Sequence, residues 1–511
     1  MLLPTSGIER QKRKQIYRCF KNIEAVALAR VMKRIVCIAS RDVAFEIRER
    51  VGRAFMKMAD GFSDVRCIKW LDKTLDFDYN IVVLYISRIL EVRMFIRRSI
   101  TDVLMRRAKN SRCLLLTGPR QVGKSTLLKH NYPGVKYYTF DDQVLLASVT
   151  EDPKLFLKNI PKPSILDEVQ YAKDLFPYIK IECYKDEKYE NYYLTGSQQM
   201  KLMAKAKESL AGRVSILELQ GLSMREINGI GFNRHFVPTD EYITAREQEL
   251  KPYENIWQII HRGSYPELYV TEREWVDFYS SYVRTYLERD IKDEIEIRDE
   301  ITFTRFLTAV AARTGQLLNY ANISEEVGVT QATIKSWVSA LEKTGIVYIL
   351  EPYYSSHLTR AIKTPKIYFR DTGLACYLSR WNNYEALESS AVAGNMFETF
   401  VVNEIIKSFI NEGLEYKFSV FYYRGKDKKK TRQNGETIET ENEIDFIIEE
   451  NGVLYPIEIK KSAKPTKSMA DAFDVLDKDV DKQRGLGVIL CLYDEKLYLK
   501  DDLVVLPIEY L

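Results

Sequence analysis

The sequence predicts an α/β protein whose first folded part is a parallel sheet flanked by helices, and three observations carry that expectation. Strand signals recur at 113–117, 135–140, 164–166, 191–195 and 215–219, with helical stretches between them, the alternation that builds parallel sheets. The first of these strands runs into Gly118-Pro-Arg-Gln-Val-Gly123-Lys124-Ser125, a GxxxxGK(S/T) turn that opens a helix. The third ends in two carboxylates, Asp167 and Glu168, with Asp167 standing 43 residues after Lys124.

A length of 511 residues exceeds one hydrophobic core and implies a string of modules. Hydrophobic residues at 46% and charged residues at 29% argue against wholesale disorder. The 76 basic and 72 acidic side chains nearly cancel, so any nucleic-acid binding must come from local patches. Cysteines at 19, 37, 67, 113, 183, 376 and 491 form no CxxC pair, which fits a reduced, cytoplasmic setting. The four histidines, 130, 235, 261 and 357, lie too far apart for zinc or histidine-based hydrolytic motifs. The apolar run 81–92 is broken by Arg88 and is too short to cross a bilayer, and no secretory signal opens the chain.

Five segments follow: a basic extension at 1–93, a P-loop domain at 94–225, a helical connector or lid at 226–298, a helix-turn-helix module at 299–355 and a C-terminal α/β domain at 356–511. Residues 1–60 carry 14 Lys and Arg against 6 Asp and Glu, with Ile16, Phe20, Ile23 and Ala27 at helical spacing. Three readings stay open for this extension: a solvated amphipathic helix, a contact to nucleic acid or an acidic partner, or a gene-start artefact preceding a pattern that opens at Met94. The charged stretch 425–443 predicts a mobile loop.

In the P-loop, glycines let successive N–H groups face phosphates while the helix start adds its positive dipole end. Gly118, Pro119, Arg120, Gln121, Val122, Gly123, Lys124, Ser125 and Thr126 would form this cradle. Lys124 would neutralise the β- and γ-phosphates of ATP, and Ser125 with Asp167 would hold Mg2+. Glu168 would orient and deprotonate the attacking water. Both acids can serve only where their strand frays at its C-terminal edge, because neighbours on a strand face opposite ways. The strand 192–195 leads into Thr195, Ser197 and Gln198, candidates for the γ-phosphate or the water. Arg213 would stabilise transition-state charge, in its own or a neighbouring subunit of a homo-oligomer, or else serve in a structural salt bridge.

At these residues the sequence resembles a prokaryotic family of predicted AAA+ superfamily ATPases with a C-terminal domain of unknown function. The resemblance runs from about residue 94 to the end, through GPRQVGKST, PSILDEVQ, YYLTGSQ, SLAGRVSILEL, RGSYPELY, YLERDI, KIYFRDTGLACYL, GNMFETFVVNEI, EIDFII and YPIEIKKS. It implies ATP hydrolysis by the residues named above and says little of what hydrolysis drives. Gly263-Ser264-Tyr265 stands where the family often has two glycines.

Between 319 and 354 the pattern reads as a helix-turn-helix with a strand behind it: a helix over 323–327, Gly328 as the turn, Thr330 as the cap of a second helix, and Ile334, Val338 and Leu341 as its buried stripe. Gln331, Thr333, Lys335 and Ser336 would face outward, as in a winged helix on DNA, although such modules also serve as packing units. In the last domain, Asp445 and, after the turn Asn451-Gly452, the run Glu458-Ile-Lys460 look like a restriction-endonuclease-like core. Asp445 and Glu458 would share a divalent ion beside Lys460, with Glu398 or Glu404 as the helix acid. A degenerate binding platform or a plain ion-paired hairpin are the alternatives, and Lys426, Lys428, Lys429, Lys430 and Arg432 could hold a phosphate backbone or be solvated. The function expected is an ATP-driven switch acting on DNA, RNA or a protein partner, with an ATP-gated nuclease and a non-hydrolysing scaffold as rivals.

Overall fold

Every residue of β1 (Cys113–Thr117) is buried, and its two-residue period separates two cores: Leu114 and Leu116 belong to one, Cys113 and Leu115 to the other. The computed structural model describes residues 95–511 apart from 186–188, 197–213, 254, 288–298, 356–362, 432–436 and 480, and apart from the side chains of 286–287, 426–431 and 437–440. The readings made for 1–93, Ser197, Gln198, Arg213 and the lysine run 426–432 lie outside this description. With β2 (Lys136–Thr139), β3 (Ser164–Asp167), β4 (Tyr192–Thr195) and β5 (Val214–Glu218), β1 forms one parallel sheet in the order β2-β3-β4-β1-β5. All five strands stand within one residue of the positions the sequence predicts.

Helix α1 (Thr101–Lys109) leads into β1, and α2 (Lys124–Asn131) follows the P-loop. Next come α3 (Gln143–Glu151), α4 (Pro153–Asn159) and α5 (Leu175–Lys185). Asp142 and Asp152 cap α3 and α4 by accepting backbone N–H groups of the first turns. Phe156, Leu157, Phe176 and Ile179 from α4 and α5 close one face of the sheet. At about 1.5–3 kcal/mol for each such side chain fully buried, this layer is what keeps the C-terminal edge of β3 in place. The other face shares its core with everything that follows in the chain.

The connector comprises α6 (Met224–Ile227), α7 (Asp240–Glu247), α8 (Ile256–Arg262), α9 (Glu267–Val270) and α10 (Trp275–Tyr282). The next module contains α11 (Glu300–Ala311), β6 (Gln316–Leu317), α12 (Tyr320–Val327), α13 (Gln331–Lys343), β7 (Val347–Leu350) and β8 (Lys366–Phe369). Gly328, at φ +81°, separates α12 from α13, and Thr330 caps α13 through the Thr333 N–H. Ile334, Val338 and Leu341 are buried, whereas Gln331, Lys335 and Ser336 are exposed and Thr333 is half-buried. Strand β8, which a boundary at 355 leaves with the C-terminal part, pairs antiparallel with both β6 and β7.

Helices α14 (Thr372–Leu378), α15 (Tyr384–Glu388) and the long α16 (Ala393–Glu412) precede the second large sheet. It contains β9 (Val420–Thr431), β10 (Thr437–Glu450), β11 (Val453–Lys460), β12 (Gln483–Arg484), β13 (Gly487–Cys491), β14 (Leu497–Lys500) and β15 (Leu503–Pro507), with main order β14-β15-β13-β11-β10-β9. Asn451 and Gly452, at φ +53° and +81°, make the two-residue hairpin between β10 and β11. The loop expected over 425–443 is instead largely strand. β9 and β10 pair through it, with Glu443 opposite Arg424 and in an ion pair with it, because opposite charges across a ladder favour pairing.

Two motifs of the resemblance meet in the core. Asp371 accepts from the Ser264 N–H at 2.6 Å and Oγ at 2.7 Å and from the Tyr279 hydroxyl at 2.7 Å. A glycine at 264 would lose one of these bonds. Among the described residues, Cys113, Cys183, Cys376 and Cys491 are free and buried, and no helix is long and apolar enough to cross a membrane.

Candidate functional site

The turn between β1 and α2 is shaped by two glycines. Gly118 has φ +138°, and a Cβ there would lie 2.1 Å from the Leu219 carbonyl oxygen; Gly123, at φ +92°, precedes the first residue of α2. Arg98, buried, braces the turn from outside: it donates to the carbonyl of Val122 at 2.8 Å and to that of Gln220 at 2.6 Å, and pairs with Glu226 at 3.1 Å. Lys124 is buried, and its Nζ donates to the carbonyl oxygens of Pro119 at 2.7 Å and Gly118 at 3.0 Å.

Ser125 Oγ donates to Asp167 at 2.8 Å. Thr195 and Tyr137 hydroxyls donate to the same carboxylate. Burial first, then the hydrogen bond to Asp167, push the Tyr137 phenol well above its ordinary value, so it remains a donor at neutral pH. Beyond Asp167 the chain leaves the strand: Glu168 has φ +54°, a conformation uncommon for a non-glycine residue and held by its surroundings. Its carboxylate accepts from the Gln170 side chain, and its N–H lies 3.4 Å from Thr195 Oγ1. β3 ends between Asp167 and Glu168, and Thr195 Oγ1 meets both, at the Asp167 carboxylate and the Glu168 N–H.

Ser125 and Glu168 border a cavity of about 600 Å³. Gly123, Lys124, Ser125, Thr126, Arg120 and Glu168 line its polar side, and Phe95, Ile96, Leu222, Pro266 and Val270 its apolar side. Phe95 is held by stacking on His130 of α2, ring centroids 3.6 Å apart. Residues 110–228, which contain these six polar-side residues, match a family described as an AAA domain. This part of the chain is a P-loop ATPase domain. Beyond the ATPase domain, residues 253–385 and 393–511 match two families described as domains of unknown function, DUF8612 and DUF4143. Uncharacterised proteins of Mycobacterium bovis and Mycobacterium tuberculosis are each 28% identical over 420 residues, covering 80% of this chain and 83% of each relative. Among solved structures, a Walker-type ATPase of Pyrococcus abyssi is 16% identical over 56% of this chain and 96% of its own, with a TM-score of 0.29. A signal-transduction ATPase of Pyrococcus horikoshii with a tetratricopeptide repeat sensor is 13% identical over 62% of this chain and 48% of its own, with a TM-score of 0.17.

Far from the ATPase domain in sequence, a second group of titratable residues comes together. Ladder pairing shifts between Ile444 and Ile447, and this irregularity in β10 carries Asp445, in keeping with the habit of bulges to re-aim a side chain. Asp445 accepts from the Ile459 N–H at 2.9 Å and from Lys460 Nζ at 3.0 Å, and Lys460 also lies 2.5 Å from Glu458. Burial, and then Asp445, push the Glu458 carboxyl up to about 8. Burial alone would lower the Lys460 ammonium, but Asp445 and Glu458 reverse that and raise it. Among the described residues, Glu458 Oε2 is buried without a hydrogen-bond partner.

Of the two helix acids, Glu398 is the one that lies by this group. It is bound by Lys366 at 3.0 Å and Tyr368 at 2.6 Å, both from β8. Glu404 points elsewhere on α16, to Lys407 at 2.9 Å and to the Met224 N–H at 2.8 Å. Tyr137 and Arg98 have no assigned role in the sequence reading, and Lys366 and Tyr368, although they stand in KIYFRDTGLACYL, carry nothing there that assigns them to this group; all four reach their sites from neighbouring strands or distant segments that only the fold brings near. Among the described residues, no three His, Cys, Asp or Glu side chains stand close enough to hold a metal ion together.

Proposed function

We propose that the chain is a Mg2+-dependent ATPase, working inside the cell as a switch that changes its contacts to a nucleic acid or a protein partner. The observation that carries this is the polar side of the cavity: a buried lysine at the P-loop, a serine hydroxyl on Asp167, and Glu168 beside them at the frayed end of β3. This donor set fits a nucleotide with its cation. Ser125 and Asp167 would hold Mg2+, which when bound supplies charge neutralisation at the β- and γ-phosphates. Lys124 and the N–H groups from Arg120 to Thr126 would take the phosphate oxygens. Phe95, Ile96, Pro266 and Val270 would cover the base, so that the connector closes the cavity.

For hydrolysis, Glu168 takes a proton from water as the water oxygen bonds to the γ-phosphorus. The bond from that phosphorus to the β–γ bridging oxygen breaks, leaving ADP and phosphate. Release of inorganic phosphate with Lys124→Ala and Glu168→Gln tests this: both variants should fall by about 100-fold or more. A purified protein that binds ATP but has no turnover to lose would be the scaffold instead.

The module 299–369 has the order helix, strand, helix, helix, strand, strand, which supports a winged-helix reading. Gln331, Lys335 and Ser336 are its exposed contact face. A second activity is favoured by one observation, the convergence of Asp445, Glu458 and Lys460 beside Glu398 with Glu458 Oε2 unpartnered. A divalent cation on Asp445 and Glu458 would make this a phosphodiester-cleaving site. Incubation with linear, branched and single-stranded DNA in Mg2+ or Mn2+ tests it; cutting that survives Asp445→Ala excludes this assignment.

A further inference from the structure

The P-loop is held from beyond the ATPase domain. Pro119 packs against Gly345, where a Cβ would lie 3.1 Å from Pro119 Cγ. Gly345 also ends α13. Its N–H donates to Glu342 at 3.1 Å and the Ile346 N–H to Leu341 at 2.9 Å, the left-handed closure that its φ of +77° permits. Backbone conformation favours glycine just past the end of α13, where the chain meets the P-loop, and a Cβ there would crowd the Pro119 ring.

A second tie runs parallel to the first. Arg370, buried at the end of β8, donates to Glu218 at 2.5 Å and to the Val347 carbonyl at 3.2 Å, with its guanidinium 4.2 Å from the Tyr348 ring centre. Glu218 ends β5 and accepts from the Gln220 side chain at 2.7 Å. The Gln220 carbonyl accepts from Arg98, which also holds the Val122 carbonyl in the P-loop. The two halves of the turn, at Pro119 and at Val122, are thus each connected to the strand and helix ends of the module 299–369.

Lys124 supplies the difference between two states that any coupling needs. Its ammonium donates to the carbonyls of Gly118 and Pro119, and a triphosphate that takes this ammonium competes for both bonds. The peptide groups whose bonding must then change flank the Pro119 ring, the part that rests on Gly345.

We propose that the Pro119–Gly345 contact and the Glu218–Arg370 pair form a joint through which triphosphate binding at the P-loop resets α13, the helix whose outward face carries Gln331, Lys335 and Ser336. This rests on ATP being the ligand of the cavity. Reciprocity follows from linkage: a partner that binds α13 differently in the two states changes ATP affinity by the same factor.

The test uses the full chain with ATPγS and Mg2+, calorimetry for binding and hydrogen–deuterium exchange for response. In the wild type, ATPγS should change exchange of amides in 331–350 by about threefold or more. Arg370→Gln should abolish that response while ATPγS still binds, and Arg370→Lys, which keeps the charge, should recover part of it. If Arg370→Gln unfolds by stranding Glu218, the double variant Glu218→Gln/Arg370→Gln leaves neither charge unpaired and should give the same loss of response. Binding of ATPγS to the wild type with no change in 331–350, or a response that persists in the folded variants, overturns the joint alone. Absence of ATPγS binding to the wild type overturns the nucleotide reading and the joint with it.

Discussion

Two places among the described residues set a lysine near a pair of acids, and they treat it in opposite ways. In the ATPase domain Lys124 donates to backbone carbonyls, and Asp167 is satisfied by three hydroxyls rather than by a cation. In the C-terminal sheet Lys460 bonds both acids directly, and Lys366 binds Glu398. Neutral donors around Asp167 make a setting open to a cation, and the Lys124 ammonium donates to carbonyls for which phosphate oxygens can compete. The C-terminal group has compensated its own charges. The first arrangement is built to receive a charged ligand; the second supports the fold until a cation replaces a lysine.

That contrast can be broken by removing each lysine. Lys124→Ala should lower ATP affinity by about 100-fold or more, since a charge-assisted contact of roughly 3 kcal/mol is lost, a larger effect than the destabilisation left by the Gly118 and Pro119 carbonyls that lose their donor. Lys460→Met should do the reverse. It takes the cation from the Asp445 carboxylate, which is about nine-tenths buried, and because Lys460 itself is 39% exposed, solvent screening reduces the cost to roughly 1–2 kcal/mol. Calorimetry and thermal melts on both variants decide the matter, and equal destabilisation by the two changes would erase the distinction.

A smaller effect separates the acids. Asp167→Asn keeps an acceptor for Ser125, Thr195 and Tyr137 but removes the charge. ATP titrations should therefore show about tenfold weaker binding in Mg2+ and little change in EDTA. Loss of the same size in both media would mean that Asp167 holds the P-loop and not a cation.

Much of the ATPase domain is legible along the chain because its information is local. The apolar strand 113–117, the glycines at 118 and 123 and the acids at 167 and 168 each declare their role by what stands next to them. Tyr137 shows where that fails: its place beside Asp167 depends on β2 lying next to β3, a matter of strand order. The C-terminal hairpin is legible to the same depth, Asn451-Gly452 fixing the turn and the alternation of Glu458 and Lys460 fixing the face. The choice of Glu398 over Glu404 is not local, since it depends on which side of α16 meets β8. The stretch 425–443 misleads for a third reason. Its charges resemble a solvated loop in one dimension, whereas its backbone pairs as two strands in three.

The finest test of the contrast is the pH dependence of Glu458. Its carboxyl is raised to about 8, first by burial and then by Asp445, above the ordinary value near 4.3 that it has in an unfolded chain. Folded protein therefore holds this proton more tightly than unfolded protein does between those two values. The stability it contributes is complete below the unfolded value and is lost as pH rises through about 8. Glu458→Gln imitates the protonated form and leaves Lys460 paired with Asp445. Melting temperatures of the two proteins should nearly coincide at pH 4, and the variant should be the more stable at pH 8, by a margin on the order of a few kcal/mol. Mn2+ gives the same titration a second reading. If the ion enters on Asp445 and Glu458, it should raise the wild type at pH 8 and leave Glu458→Gln where it was. A wild type whose stability is flat from pH 5 to pH 8 would show that Lys460 already keeps Glu458 ionised, and the C-terminal group would then be a charge-paired hairpin.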